Sequence, residues 1–296
     1  MIKKIVILFA FLSTGILASA QFVARSEFGV MLGGSNYVGD INNAREVTKQ
    51  DFMNQFETSF DFYNVSFMGG LIYRYNLSPR WVLRGNILFT KLWGEDSHFN
   101  NSRNLSFNTW CNEASFMVEF NFFDYQTGSL KHRVSPYIFA GLSLFYMNPK
   151  TEVMNPYTLE MEEVFLRDLS TEGQGMAGYG TTYSRFQVAI PFGLGIKVSV
   201  SKYICIGLEY GFRKTFTDYL DDISTNYVDR DELLAWGGAM TGAAADRTNE
   251  IEPNVYHAAN SMRGNPNTKD WYSFFGVTLT TKLPASKKCE TFRGVR

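Results

Sequence analysis

Residues 186–200 read FQVAIPFGLGIKVSV, and their period decides the fold. Phe186, Val188, Ile190, Phe192, Leu194, Ile196, Val198 and Val200 are apolar, whereas Gln187, Ala189, Pro191, Gly193, Gly195, Lys197 and Ser199 between them are small or polar. Alternation with a period of two puts one set on each face of an extended strand. A helix would scatter the oily residues around its circumference, and Pro191, Gly193 and Gly195 would each weaken it. The stretch is therefore a strand with one continuous oily face, and the rest of the chain must say what that face meets.

The N-terminus narrows the choice. MIKK is followed by the apolar run IVILFAFLSTGIL and by Ala18-Ser19-Ala20 before Gln21, the n-region, h-region and small-residue cleavage site of a secretory signal peptide. Residues 1–20 are thus expected to be removed near Ala20. No later run supplies a membrane-spanning helix, so the exported chain is soluble or a barrel whose membrane signal is weak in each segment. Charged residues make up 19% and aromatics 16%, and a charged fraction below the roughly 25% of soluble domains leans toward lipid. A net charge of −1 leaves no basic excess to neutralise phosphates, which excludes nucleic acid as the expected partner.

Seven further stretches alternate in the same way, giving strands over 24–37, 64–76, 80–93, 110–123, 134–147, 184–200, 203–216 and 271–283. The fifth and eighth are less regular, because Phe139, Phe145 and Phe274 fall on the otherwise polar face. Gly276 is the candidate bulge there, and Pro191 lacks the N–H a closed ladder wants. Connections alternate strictly between short (near Asn76–Pro79, Asp124–Arg133 and Ser201–Lys202) and long (38–63, 94–109, 148–183 and 217–270). In a meander every second connection lies at the same end. The pattern predicts an all-β, eight-stranded antiparallel transmembrane barrel over 21–283, with short periplasmic turns, long extracellular loops and a periplasmic tail at 284–296.

If the oily stripe faces lipid, the other face fills a narrow interior. Glu27, Arg74, Arg84, Glu113, Glu119, Arg185, Lys197, Glu209, Arg213 and Lys282 all fall on it. They are expected to pair into a structural plug, since unpaired buried charge is costly and eight strands enclose only enough space for side chains. A diffusive pore is not expected.

No motif adds chemistry. The carboxylates of DYLDDISTNYVDRDEL (218–233) lack EF-hand spacing and read as a solvated loop, and GGAMTGAAAD (237–246) reads as a flexible loop rather than a phosphate cradle. His98, His132 and His257 all lie in connections, His132 at the opposite end from the other two, and no GxSxG elbow is present. Cys111 and Cys205 fall on the inner face, and Cys289 lies beyond the last strand. The expectation is a non-enzymatic protein with no cofactor and no metal.

The wording of several stretches is more specific than their period. GVMLGGSNYVGDIN (29–42), SPYIFAGLSLFYMNPK (135–150), TEGQG (171–175), IPFGLGIKVSV (190–200) and IGLEYGFRKTFTDYLDDISTNY (206–227) together resemble the PorG-like outer-membrane proteins of Bacteroidota. The resemblance implies an outer-membrane component of the type IX secretion system, associated with a periplasmic ring built from the PorK lipoprotein and PorN. That system exports proteins with a C-terminal sorting domain and in some species supports gliding motility. The family supplies no catalytic residues to carry over. On this reading the protein anchors the ring to the outer membrane, and the periplasmic segments supply the candidate contacts: Asp124, Lys131 and Arg133 in one turn, Lys287, Lys288 and Cys289 in the tail. The alternatives are a surface barrel that binds a ligand, host surface or glycan through its long loops, and a lipid enzyme using His98 or His257.

Overall fold

The computed structural model describes residues 25–41, 64–99 and 103–284. The proposed signal peptide, most of the first long connection, and the tail with Lys287, Lys288 and Cys289 lie outside the described residues.

Eight long strands carry the alternation: β1 (Arg25–Val38), β2 (Ser66–Asn76), β3 (Trp81–Glu95), β4 (Ser106–Asn121), β5 (Val134–Tyr146), β8 (Phe186–Ser199), β9 (Ile204–Thr215) and β10 (Trp271–Lys282). Every neighbouring pair is antiparallel, in the order β3-β2-β1-β10-β9-β8-β5-β4, and β3 pairs with β4 to close the ring. The shortest has 11 residues and the longest 16, enough for tilted strands to cross a hydrocarbon layer that needs about 9–11. The protein is a closed eight-stranded barrel of the outer-membrane type.

Local chemistry explains two irregularities. Across Pro191 the β5–β8 ladder is interrupted, resuming at Ala140–Phe192 on one side and Ser143–Ala189 on the other, as a missing N–H requires. Gly276 is not a bulge: β1 and β10 stay in continuous register through the Gly33–Gly276 pair. A Cβ at Gly276 would lie 2.4 Å from the Leu32 carbonyl oxygen, so the glycine permits a close approach of backbones instead.

The described parts of the later connections at the long-loop end carry structure of their own. Strands β6 (Lys150–Met154) and β7 (Met161–Phe165) form a hairpin added to β4, followed by the one-turn helix α1 (Leu166–Leu169). Helix α2 (Arg230–Ala245) lies in the last long connection and contains most of the run at 237–246 that reads as flexible loop. Two glycines hid it, for Gly238 takes φ 80° and kinks the helix while alanines on either side are strong helix formers. Asp229 caps its start, accepting from the backbone N–H groups of Asp231 and Glu232.

Candidate functional site

The barrel is inside out relative to a soluble protein. Its outer wall exposes Phe67 (73%), Leu142 (64%), Leu194 (62%) and Phe116 (60%), a contiguous apolar belt far larger than water-facing monomers carry. Its inside holds Glu27, Arg74, Arg84, Glu113, Glu119, Lys197, Glu209 and Arg213, all buried. Those are four cations and four carboxylates.

They form three groups along the axis. In the central one, the Glu119 carboxylate accepts from Arg74 Nε (2.9 Å), Arg84 Nη1 (3.1 Å) and Lys197 Nζ (2.9 Å). Glu209 accepts a fork from Arg84 at 2.7 Å on each oxygen, and the Tyr137 hydroxyl at 2.7 Å. Bidentate charge-assisted bonds of this kind are short and directional. Toward the long loops, Arg213 Nε meets Glu113 at 3.2 Å, and the Tyr272 hydroxyl donates to the same carboxylate at 2.8 Å. Toward the short turns Glu27 has no cation within ion-pair range among the described residues. It accepts instead from Thr127 Oγ1 (2.6 Å), Asn76 Nδ2 (3.2 Å) and Thr280 Oγ1 (3.1 Å).

The three phenylalanines that break the strand pattern sit among these charges. The Arg84 guanidinium lies 5.2 Å from the Phe139 ring and that of Arg213 lies 4.2 Å from Phe274, a favourable approach of cation to ring face. Phe145 packs edge-on against Tyr272. Two residues read as interior are not. Arg185 precedes β8 and pairs with Asp168 at 2.7 Å on the long-loop side, and Lys282 is half-buried at the short-turn rim. Both sit at strand ends, where alternation no longer distinguishes inside from outside. The phenols of Tyr137 and Tyr272 were not singled out by sequence, because tyrosine counts as apolar in a period-two reading.

A second polar layer closes the long-loop mouth, and it corrects the reading of 218–233 as solvated. Asp218, Asp221 and Asp222 are buried; only the later part, with Asp229, Asp231 and Glu232, is exposed. The Tyr37 hydroxyl at the top of β1 donates to Asp221 (2.5 Å) and Asp270 (3.3 Å). Asp222 accepts from Thr171 and from the Tyr183 hydroxyl. Glu172, from TEGQG, accepts the backbone N–H groups of Ser224 and Thr225 and the Arg263 guanidinium at 2.9 Å. Arg103 ties Asp96 to the Asp40 and Arg263 carbonyl oxygens. Two stretches quoted for the family resemblance therefore lock onto each other.

Crowding acids in a dry layer has a consequence. Burial pushes the Asp40 and Asp218 carboxyls up to about 7 and that of Asp222 up to about 6. Burial, reinforced by the neighbouring carboxylates, also raises Asp221 and Asp270. These groups hold protons more tightly in the folded cap than an exposed carboxyl of about 3.9, so the stabilisation is present in mild acid and is lost as pH rises through about 6–7. Protease nicking of the 216–270 connection is expected to run at least about tenfold faster near pH 8.5 than near pH 5.5. Asp218→Asn keeps the acceptor for Ser224 Oγ and should make that dependence shallower, leaving the part due to the other cap carboxyls; an equally steep profile would show that Asp218 contributes nothing to it.

The histidines offer little chemistry. His257 Nδ1 lies 3.0 Å from Thr248 Oγ1 and 3.2 Å from the Asp246 carboxylate. Both contacts fall on one ring nitrogen, so they hold the ring rather than relay a proton. The ring also stacks on Tyr227 at 4.3 Å. His132 lies in the turn at the opposite mouth, and the His98 side chain lies outside the described residues. Among the described residues no group of three or more His, Cys, Asp or Glu side chains is placed to hold a metal ion. Cys111 and Cys205 are buried free thiols.

Residues 3–163 match a family described as a domain of unknown function (DUF6089). Comparison with curated proteins finds no match. Among solved structures, Ail, the attachment invasion locus protein of Yersinia pestis, is 11% identical, with a TM-score of 0.39 over 88% of this chain and 100% of that one. Neisserial surface protein A is 10% identical (TM-score 0.33; 88% and 96%) and OprG of Pseudomonas aeruginosa 8% (0.37; 88% and 97%). These likenesses are distant, and the barrel rests on its own strand pairings.

Proposed function

The chain belongs to the family described as a domain of unknown function, DUF6089, and within that family we propose that it is a PorG-like, non-enzymatic scaffold of the type IX secretion system. It sits in the outer membrane after signal-peptide cleavage near Ala20, with its short turns in the periplasm. There it anchors a ring of PorK-like lipoprotein and its PorN-like companion. The observation that carries this reading is the double closure of the lumen. A charge-paired interior lies under a buried carboxylate cap at one mouth and a folded turn at the other, so the barrel offers surfaces rather than a path.

The turn is the one at Asp124–Arg133. Asp124 is exposed and pairs with Arg80 at 2.8 Å, and Lys131 and Arg133 are exposed. The testing experiment is a mild-detergent pull-down of the tagged protein from native outer membranes, with mass spectrometry of what accompanies it. Recovery of the ring lipoprotein with its companion is expected, reduced several-fold on deleting residues 284–296. Undiminished recovery from the truncated protein would remove the tail from the contact, and a barrel recovered alone would sink the scaffold reading.

One observation favours a surface-binding role instead. Between the β6–β7 hairpin and α2 lies a hollow of about 340 Å³ lined by Met154, Leu159, Leu234, Arg230 and Tyr256, near the lower size of ligand pockets. Loop replacements there that abolish surface binding while secretion continues would favour that role.

A further inference from the structure

The short-turn end carries a charge pattern that the interior network does not absorb. Arg25 opens β1, Lys282 closes β10, Lys202 lies in the β8–β9 turn, and Lys131 and Arg133 lie in the β4–β5 turn. Among the described residues no carboxylate lies within ion-pair range of any of the five, although Arg133 Nε reaches the Ser199 carbonyl oxygen at 3.4 Å and Lys202 Nζ lies 5.6 Å from the Tyr203 ring, while Arg80 has a carboxylate partner, Asp124. Glu27 cannot help, since it is 2% exposed and its oxygens are taken by Thr127, Asn76 and Thr280. The opposite end differs: its exposed surface mixes cations with Glu152, Glu160, Glu162, Glu163 and Asp168, and Lys150 and Arg185 are paired there.

The β4–β5 turn gives this charge a direction. It folds across the mouth instead of hanging beside it. Tyr125 is buried and lies under Lys197, whose Nζ is 5.0 Å from its ring. Thr127 reaches Glu27 on β1, across the lumen from β4 and β5. Gly128, at φ 88°, donates its N–H to Ser199 Oγ at 2.8 Å. A Cβ at Gly128 would lie 2.4 Å from the Lys202 carbonyl oxygen, so this turn is pressed against the β8–β9 turn, which brings Lys131, Arg133 and Lys202 onto one face. With the inner half of the turn held, the outer half is presented outward, and Leu130 there is 90% exposed.

We propose that this face is a docking surface for an acidic face of a periplasmic protein, with Leu130 as its apolar centre and Lys131, Arg133 and Lys202 as its nearest cations. This rests on the scaffold reading and supplies the chemistry of its contact. Lipid surrounds the barrel's side, whereas the lid faces along its axis into water, so phosphate headgroups meet Arg25 and Lys282 at the strand ends before they meet Leu130. A protein surface can cover the whole lid. Unpaired rim cations steer such a partner and set its register, and they act over about 10 Å at 0.1 M salt but only about 3 Å at 1 M.

The test uses the full-length protein in native outer membranes, solubilised mildly, in three forms: unchanged, K131E/R133E/K202E, and K131R/R133K/K202R. The readout is the amount of ring lipoprotein recovered at low and high salt, with compact gel mobility of the unheated barrel as the folding control. The reversed form is expected to lose at least about tenfold in recovery and the charge-conserving form to keep it. Recovery by the unchanged form should fall as salt rises. Single reversals replace the triple one if it does not fold. Equal recovery by reversed and unchanged forms would overturn this inference and leave the scaffold standing. No recovery by the unchanged form would remove the scaffold and this contact with it. If recovery survives reversal while binding of the purified barrel to vesicles of anionic phospholipid is lost, the cations serve the membrane and the proposal is wrong.

Discussion

Replacing Glu119 by leucine will destabilise the barrel by about 3–5 kcal/mol, the cost of leaving buried charge without its partner. Glu119 is fully buried and holds three cations at once, Arg74, Arg84 and Lys197. Remove it and Glu209 alone must balance them, yet its two oxygens are already filled by the Arg84 fork and the Tyr137 hydroxyl. Arg74 keeps a 3.8 Å approach to Glu209 as its nearest carboxylate, besides a 3.5 Å contact with the Tyr137 hydroxyl. Lys197 keeps only the rings of Tyr125 and Tyr137, at 5.0 and 4.8 Å. Glu119→Gln retains an acceptor oxygen and should fall between the two. The double change Glu119→Leu with Arg74→Met, which removes charge from both sides, should recover part of the loss, because a matched apolar pair avoids the desolvation of both ions. Denaturant unfolding of the barrel refolded into lipid, followed by heat-sensitive gel mobility, checks the series. A loss below about 1 kcal/mol for Glu119→Leu would mean that water reaches the interior and screens these charges, and the plug would have to be abandoned.

That series also marks what could be read from sequence. Alternation placed Glu119 and Lys197 on one face because every second residue of a strand shares a side, so eight of the ten charges read as interior lie there. Arg185 and Lys282 failed at strand ends, where the period stops. Which cation meets which carboxylate depends on the stagger between strands, and the sequence does not state it. The cap was less legible still. Asp221 and Asp222 in DYLDDIS look like surface residues, since carboxylates are rarely buried unless satisfied, and their partners Tyr37, Thr171, Tyr183 and Arg263 come from remote parts of the chain. Only the unusual wording of TEGQG and TDYLDD set these stretches apart, without saying that they meet.

The solvent of the outer wall is open to a test whose result differs between lipid and water. Leu194 sits in the middle of β8, is 62% exposed, and is flanked across the ladder by Ile138 and Tyr210. Leu159, at the tip of the β6–β7 hairpin, is 73% exposed. By exposure alone the two are alike, and in water an arginine at either would change stability by no more than about 0.5 kcal/mol. At the midplane of a bilayer an outward arginine costs about 2–4 kcal/mol, because its charge leaves water for hydrocarbon, and the cost falls toward zero at the interface. Leu194→Arg should therefore destabilise the barrel refolded into phospholipid vesicles by that amount while Leu159→Arg leaves it unchanged. In strongly solvating detergent the penalty at Leu194 should shrink, since the head of the long side chain can reach water there. Equal, small effects in vesicles would mean that the apolar belt faces something other than lipid tails, and the transmembrane reading of the alternation in 186–200 would fall with it.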